Sequence, residues 1–216
     1  MHHDFDVSTV PVFFGWPTNA SATGYVHDRD SVLFSRQAFE DFLRLVRRAN
    51  PDRLIVFTHS MGSFLTAEVM RQAELRQPGS VPGLIDSLIM MSPDIDIDVF
   101  LSQVSDIERL PQPFIIFTSD QDKALQLSRR IGGGKPRLGN PPTIEPFRDL
   151  DVTLLDVGAF SDAEDGDFGH LTPATSPELI ALIPNLRAIS LSLNSANSLN
   201  PDLGTCLLYT SDAADD

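Results

Sequence analysis

Arg53-Leu54-Ile55-Val56-Phe57-Thr58-His59-Ser60-Met61-Gly62 is the stretch whose reading decides the fold. A short apolar run leads into a serine flanked by small residues, and a helical pattern follows from Met61 to Arg76. Strand, tight turn and helix in that order are the sequence form of a nucleophile elbow, in which the serine hydroxyl is thrust out of the sheet. Strand and helix backbones approach closely at such a turn, and the serine adopts an unfavourable backbone conformation that bulky neighbours would worsen. Gly62, two residues after the serine, fits this requirement. Thr58, two before it, departs from glycine and needs room for its side chain.

Outward from the elbow the chain alternates strand and helix. Val10 to Phe14 reads as a strand stopped by Gly15-Trp16-Pro17. Asp30 can cap a helix over Ser31 to Arg48, where Val32, Phe39, Phe42, Leu43 and Val46 recur at three- and four-residue steps. Asn50-Pro51-Asp52 ends that helix, and Arg53 to Phe57 is the second strand. Pro78-Gly79 and Pro82-Gly83 break the chain before a third strand at Ser87 to Met91, with a short acidic loop and helix over Pro93 to Val104. A fourth strand at Phe114 to Phe117 precedes a helix from Lys123 to Ile131, which Gly132-Gly133-Gly134 stops. Val152 to Leu155 is the fifth strand and Glu178 to Leu186 a closing helix. The pattern predicts the α/β class: a mostly parallel sheet of about five strands with helices on both faces.

Composition is compatible with one domain over residues 1–187, followed by a poorly structured tail over 188–205. Apolar residues make up 42% of the chain and aromatics 8%, enough to fill a core. A net charge of −14 argues against nucleic acid and anionic membrane surfaces as partners, because both want clustered Lys and Arg. Residues 206–216 resemble the translation of a sequencing adapter, so they are set aside from fold reasoning. They hold the single cysteine, Cys206, which leaves the rest without a disulfide framework or thiolate metal site. No apolar run is long enough to span a bilayer. Met1-His2-His3-Asp4-Phe5-Asp6 is not a signal peptide, and nothing in the sequence gives a cellular address.

Serine is a poor nucleophile near neutral pH. It needs a base to take its proton, and the base needs an acid that fixes its tautomer and stabilises the imidazolium. In α/β-hydrolases these come in the order serine, Asp or Glu, histidine. The sequence offers Ser60, an aspartate after the fourth strand, and His170 after the fifth. Such loops lie at the carboxyl ends of the strands, where open α/β sheets carry their sites. His2 and His3 lie at the terminus and His27 precedes the elbow. His59 adjoins the serine, with local packing or a place at the edge of a pocket as its roles. For the acid, Asp122 ranks first, although helix capping is its competing role. Asp94, after the third strand, ranks second and Asp120 third.

Several runs together carry a resemblance. They are Pro11-Val12-Phe13-Phe14-Gly15-Trp16-Pro17, Gly24-Tyr25 with Asp28-Arg29-Asp30-Ser31, and Thr58-His59-Ser60-Met61-Gly62. Ser92-Pro93-Asp94-Ile95-Asp96 and Asp122-Lys123-Ala124-Leu125 belong with them. Over about Val10 to His170 the chain resembles an uncharacterised bacterial family of α/β-hydrolases of esterase/lipase type. The resemblance implies Ser60 as nucleophile, Asp122 as acid, His170 as base and the backbone N–H of Met61 as an oxyanion donor. It also implies a preceding strand with a His-Gly loop as the second oxyanion donor. Met1 stands after that point, so the chain is expected to be a fragment truncated at both ends, with a partial α/β-hydrolase fold and impaired activity.

Other signals carry less. Asp94, Asp96 and Asp98 lack the Gly and Glu that a calcium loop wants at Val99 and Ser105. Gly132-Gly133-Gly134-Lys135 follows a helix rather than a strand, so it is a helix stop and not a phosphate loop. No metal and no cofactor is expected. Trp16 and Tyr25, with His59 and Asp94, are candidates for lining a substrate pocket, with core packing the alternative. The expected function is a serine hydrolase acting on a small-molecule acyl ester. The alternative is a non-catalytic binding domain on the same fold.

Overall fold

Four adjacent parallel strands form the frame. The computed structural model describes residues 10–19, 24–158 and the backbone of 208–210. The strands are β1 (Ile55–His59), β2 (Ser87–Met91), β3 (Phe114–Thr118) and β4 (Thr153–Asp156), in the order β1-β2-β3-β4. The helices are α1 (Tyr25–Arg48), α2 (Met61–Arg76), a single turn α3 (Val81–Leu84), α4 (Ile97–Ser105) and α5 (Lys123–Ile131). The α/β expectation therefore holds. β2 and β3 are buried along their whole length, as central strands of a covered parallel sheet should be. β1 alternates instead: Val56 and Thr58 face the core, while Ile55 and Phe57 are 38% and 44% exposed.

α1 lies on α2, and α2 on α4. The core gathers Leu43 from α1, Leu65 and Met70 from α2, Leu88 and Met90 from β2, and Ile116 from β3. Phe100 of α4 stands edge-on to Phe114 of β3, with ring centroids 6.1 Å apart. Two buried carboxylates hold the periphery. Glu40 of α1 takes Arg44 and, across the helix pair, Arg76 of α2. Glu74 accepts backbone N–H groups from Gly79, Ser80, Val81 and Glu108. Burial alone would raise the Glu74 pKa, but those bonds outweigh it and hold the carboxyl below its ordinary value.

Three expectations are corrected. Val10 to Phe14 forms no strand. Val10 and Phe13 are exposed, and only Phe14 packs, its ring 4.8 Å from Phe39. An apolar run becomes a strand only when a neighbouring backbone takes its N–H and C=O groups, and none of the described strands pairs with this one. α1 begins at Tyr25 rather than Ser31, with Asp30 inside it. The buried Asp28 takes the work of fixing the helix start by accepting the Asn19 N–H at 2.7 Å. Finally, Leu208–Thr210, within the segment set aside above, pairs antiparallel with β4 as a fifth strand, β5. An open strand edge accepts a β-prone run whatever its origin. The expected closing helix and His170 lie outside the described residues.

Candidate active site

β1 ends at His59, α2 starts at Met61, and Ser60 alone makes the turn, with φ 52° and ψ −124°. No L-residue prefers that region, and holding a residue there costs about 1–3 kcal/mol. Two backbone bonds to the β2 end brace it: Ser60 N–H donates to Met91 O at 3.0 Å, and Asp94 N–H donates to Ser60 O at 3.2 Å. Ser92, next to that brace, is itself at φ 44°. The Ser60 side chain makes no capping bond to the helix it precedes. Met61 opens α2, and the leading N–H groups of a helix have no partner within it.

Small neighbours serve as the sequence reading required. The nearest heavy atom to a β-carbon built on Gly62 is Trp16 Cη2, at 3.3 Å, so the indole lies directly on the first turn of α2. Thr58 is accommodated without strain. It is buried, its hydroxyl lies 2.8 Å from Ser63 Oγ, and it reaches Ile89 O at 3.4 Å.

The register brings the candidate residues to one edge. His59 pairs with Met91, Met91 with Phe117, and Thr118 with Asp156, so β1 to β4 end level. Asp94 follows β2 and Asp122 follows β3. Two strand spacings, roughly 10 Å, separate the ends of β1 and β3, a gap that one imidazole can bridge when side chains reach in from both sides. Val157 N–H donates to Thr118 O at 2.9 Å, so the chain toward His170 leaves β4 at this same edge.

The three candidate acids differ. Asp122 is fully buried and caps α5, accepting the Leu125 N–H at 2.9 Å. Asp120 is exposed and takes the Gln121 side-chain amide at 3.1 Å. Asp94 is buried in a network: its Oδ1 accepts from Ser128 Oγ at 2.8 Å, Arg137 Nε at 3.1 Å and Tyr25 OH at 3.3 Å. Burial first, and then the Asp94 charge, push the Tyr25 hydroxyl up to about 12. Tyr25 thus reaches Asp94, while His59 lies half-buried at the end of β1. Asp96 caps α4 and Asp98 pairs with Lys135, so the acidic loop is spent on structure. Among the described residues no group of His, Cys, Asp and Glu could hold a metal ion, and no helix is long and apolar enough to cross a membrane.

The sequence reading missed Arg137. Its guanidinium, 3% exposed, also donates to Ser128 O at 3.0 Å and Ser128 Oγ at 3.2 Å. The following residues stitch two loops together: Leu138 N–H to Ile95 O, Gly139 N–H to Pro93 O, and Ser119 N–H to Gly139 O. Arg137 therefore ties the loop carrying Asp94 to the loop and helix carrying Asp122. A lone arginine between Pro136 and Leu138 in a Pro/Gly-rich loop was the one available sign.

Comparison with curated proteins and with solved structures finds no match. A family described as "Alpha/beta hydrolase of unknown function (DUF900)" matches residues 1–186. With the strained serine turn and the level parallel strands, that span makes this chain a member of that α/β-hydrolase family.

Proposed function

We propose that this chain is a serine hydrolase of esterase/lipase type, acting on a small-molecule acyl ester through Ser60, His170 and Asp122. The observation that carries the reading is the Ser60 backbone, at φ 52° and ψ −124° between the parallel strand β1 and the helix α2. Backbone strain at a strand-to-helix turn is the feature by which a nucleophile elbow presents its serine hydroxyl. In the mechanism, Ser60 Oγ attacks the ester carbonyl while His170 takes its proton. The Met61 N–H donates to the developing oxyanion, and His170 then returns the proton to the departing alcohol. Water, deprotonated by the same imidazole, releases the acid from the acyl-enzyme and restores Ser60. Asp122 orients the imidazole and balances its charge. Asp94 is the weaker acid candidate because Tyr25, Ser128 and Arg137 already converge on its Oδ1.

One of the motives for the alternative, a non-catalytic binding domain, is Thr58 in place of glycine. Its hydroxyl bond with Ser63 removes that motive. The test is hydrolysis of a short-chain nitrophenyl ester by wild type and Ser60→Ala, with fluorophosphonate labelling of both. Turnover and labelling that vanish together in Ser60→Ala are expected. Equal rates in the two proteins, both folded, would return the chain to the binding-domain reading.

A further inference from the structure

Arg29 stands on α1 one turn beyond Tyr25, and its guanidinium carbon lies 5.4 Å from the ring centroid of Phe64. Phe64 is itself one turn beyond Ser60 on α2. Arg29 therefore covers the first turn of the helix that the elbow serine opens. What sets it apart is that no described residue pairs it with an anion. Among the described arginines that are buried or half-buried, Arg36 pairs with Glu68, Arg44 with Glu40 and Arg47 with Asp86. Arg71 likewise pairs with Asp106, and Arg137 with Asp94. Arg29, half-buried, has among the described residues the aromatic face alone. Its helix neighbours three and four residues away are Tyr25, Val26, Val32 and Leu33, so α1 supplies no carboxylate. Asp28, next in sequence, is committed to the Asn19 N–H and His27.

With no acid beside it among the described residues, in a chain of net charge −14, the Arg29 guanidinium is placed to take a different anion. Its field reaches the site, since it is among the cations that oppose the burial and Asp94 charge raising Tyr25. A second donor flanks the same helical turn. Trp16, whose ring lies on Gly62, has its indole N–H buried with no acceptor among the described residues. Arginine on an aromatic face is a preorganised fork for a carboxylate.

We infer that Arg29 binds a carboxylate carried by the substrate, so that the preferred esters are anionic. This inference rests on the serine-hydrolase reading, and its test separates the two. The esters are nitrophenyl hemisuccinate against nitrophenyl butyrate, with the charge on the acyl side, and 4-acetoxybenzoate against its methyl ester, with the charge on the alcohol side. Wild type should prefer the charged member of one pair, and that pair identifies the side. Arg29→Gln should lose the preference by roughly tenfold or more, the fold-change of one charge-assisted hydrogen bond. The loss should fall in KM rather than kcat, because the contact is made equally before and in the transition state. Arg29→Lys should recover part of it.

A binding arm needs no turnover. Trp16 is the single tryptophan, so its fluorescence can be followed while glutarate or dimethyl glutarate is added. A saturable change with glutarate alone, weakened in folded Arg29→Gln, supports the anion site even if Ser60 never labels. Unchanged glutarate affinity in Arg29→Gln, or equal preference for charged and neutral esters in wild type, overturns it and leaves the hydrolase reading intact.

Discussion

Asp94→Ala removes the acceptor on which Tyr25, Ser128 and Arg137 converge, and its cost can be worked from the contacts. Arg137 is 3% exposed, so the substitution leaves a cation buried without its counter-charge. Breaking a buried pair from one side costs about 3–5 kcal/mol. Arg137 keeps its bonds to Ser128 O and Ser128 Oγ, which puts the expectation near the lower end, about 3 kcal/mol. Asp94→Asn retains an oxygen for the same donors and loses only the charge assistance, a cost of about 1 kcal/mol. The assay is equilibrium urea unfolding with an unchanged slope, so that midpoint shifts read as stability. A decisive step adds Arg137→Met to Asp94→Ala. Removing both partners of a buried pair is close to neutral beyond the lost bonds, so the double variant should recover stability over the single one. A double variant less stable than Asp94→Ala by the full cost of Arg137→Met would refute the pairing. So would an Asp94→Ala cost below about 1 kcal/mol.

Asp122→Asn should stay folded, since asparagine also caps helices, while turnover of a nitrophenyl ester falls by orders of magnitude, about 10⁴ where the same change was made in a serine protease; a milder loss than in Asp94→Asn would move the acid to the β2 loop. Gly132→Ala should cost about 1–3 kcal/mol in urea unfolding, because its β-carbon would meet Arg137 Nη2 at 1.9 Å and displace it from Ser128, whereas Gly83→Ala meets nothing within 4 Å and should cost no more than a few tenths. Tyr25 should ionise near 12 against an ordinary 10.0. Its folded pKa is raised, so the stability it contributes is intact below pH 10 and lost as pH rises toward 12, and phenolate absorbance missing its high-pH step in Tyr25→Phe would check it.

What was legible in the sequence is what depends on local pattern. α2 and α5 were found to the residue, because Ser60 and Asp122 sit at caps and because apolar periodicity continues to Arg76 and Ile131. β2 and β3 read cleanly, since central strands of a parallel sheet are continuous apolar runs. Val10 to Phe14 failed for the opposite reason: pairing is a property of a neighbour, which an apolar run does not reveal. The start of α1 failed because Asp28 acts through Asn19, nine residues back, and not as a local cap. Arg137 was invisible because its acceptors come from Asp94 and from Ser128, on separate loops and elements.

The strained serine and the buried ion pair belong to one arrangement. A residue at φ 52° stays there only if its surroundings leave no relaxed alternative. Ser60 is fixed on one side by Met91 O and on the other by the Asp94 N–H, so the turn is only as rigid as the β2 loop. That loop is short, carries its own strained residue in Ser92, and has no helix until Asp96 caps α4. Its rigidity comes from the Asp94 side chain, tied by Tyr25 to α1, by Ser128 to α5 and by Arg137 to the segment that threads between the loops. The polar groups buried beside the elbow thus hold the backbone to which the Ser60 hydroxyl is attached. Loosening them should then relax Ser60 before it unfolds the sheet, so fluorophosphonate labelling of Asp94→Ala should slow at urea concentrations where the protein is still folded. Labelling that tracks the folded fraction alone would separate the network from the elbow.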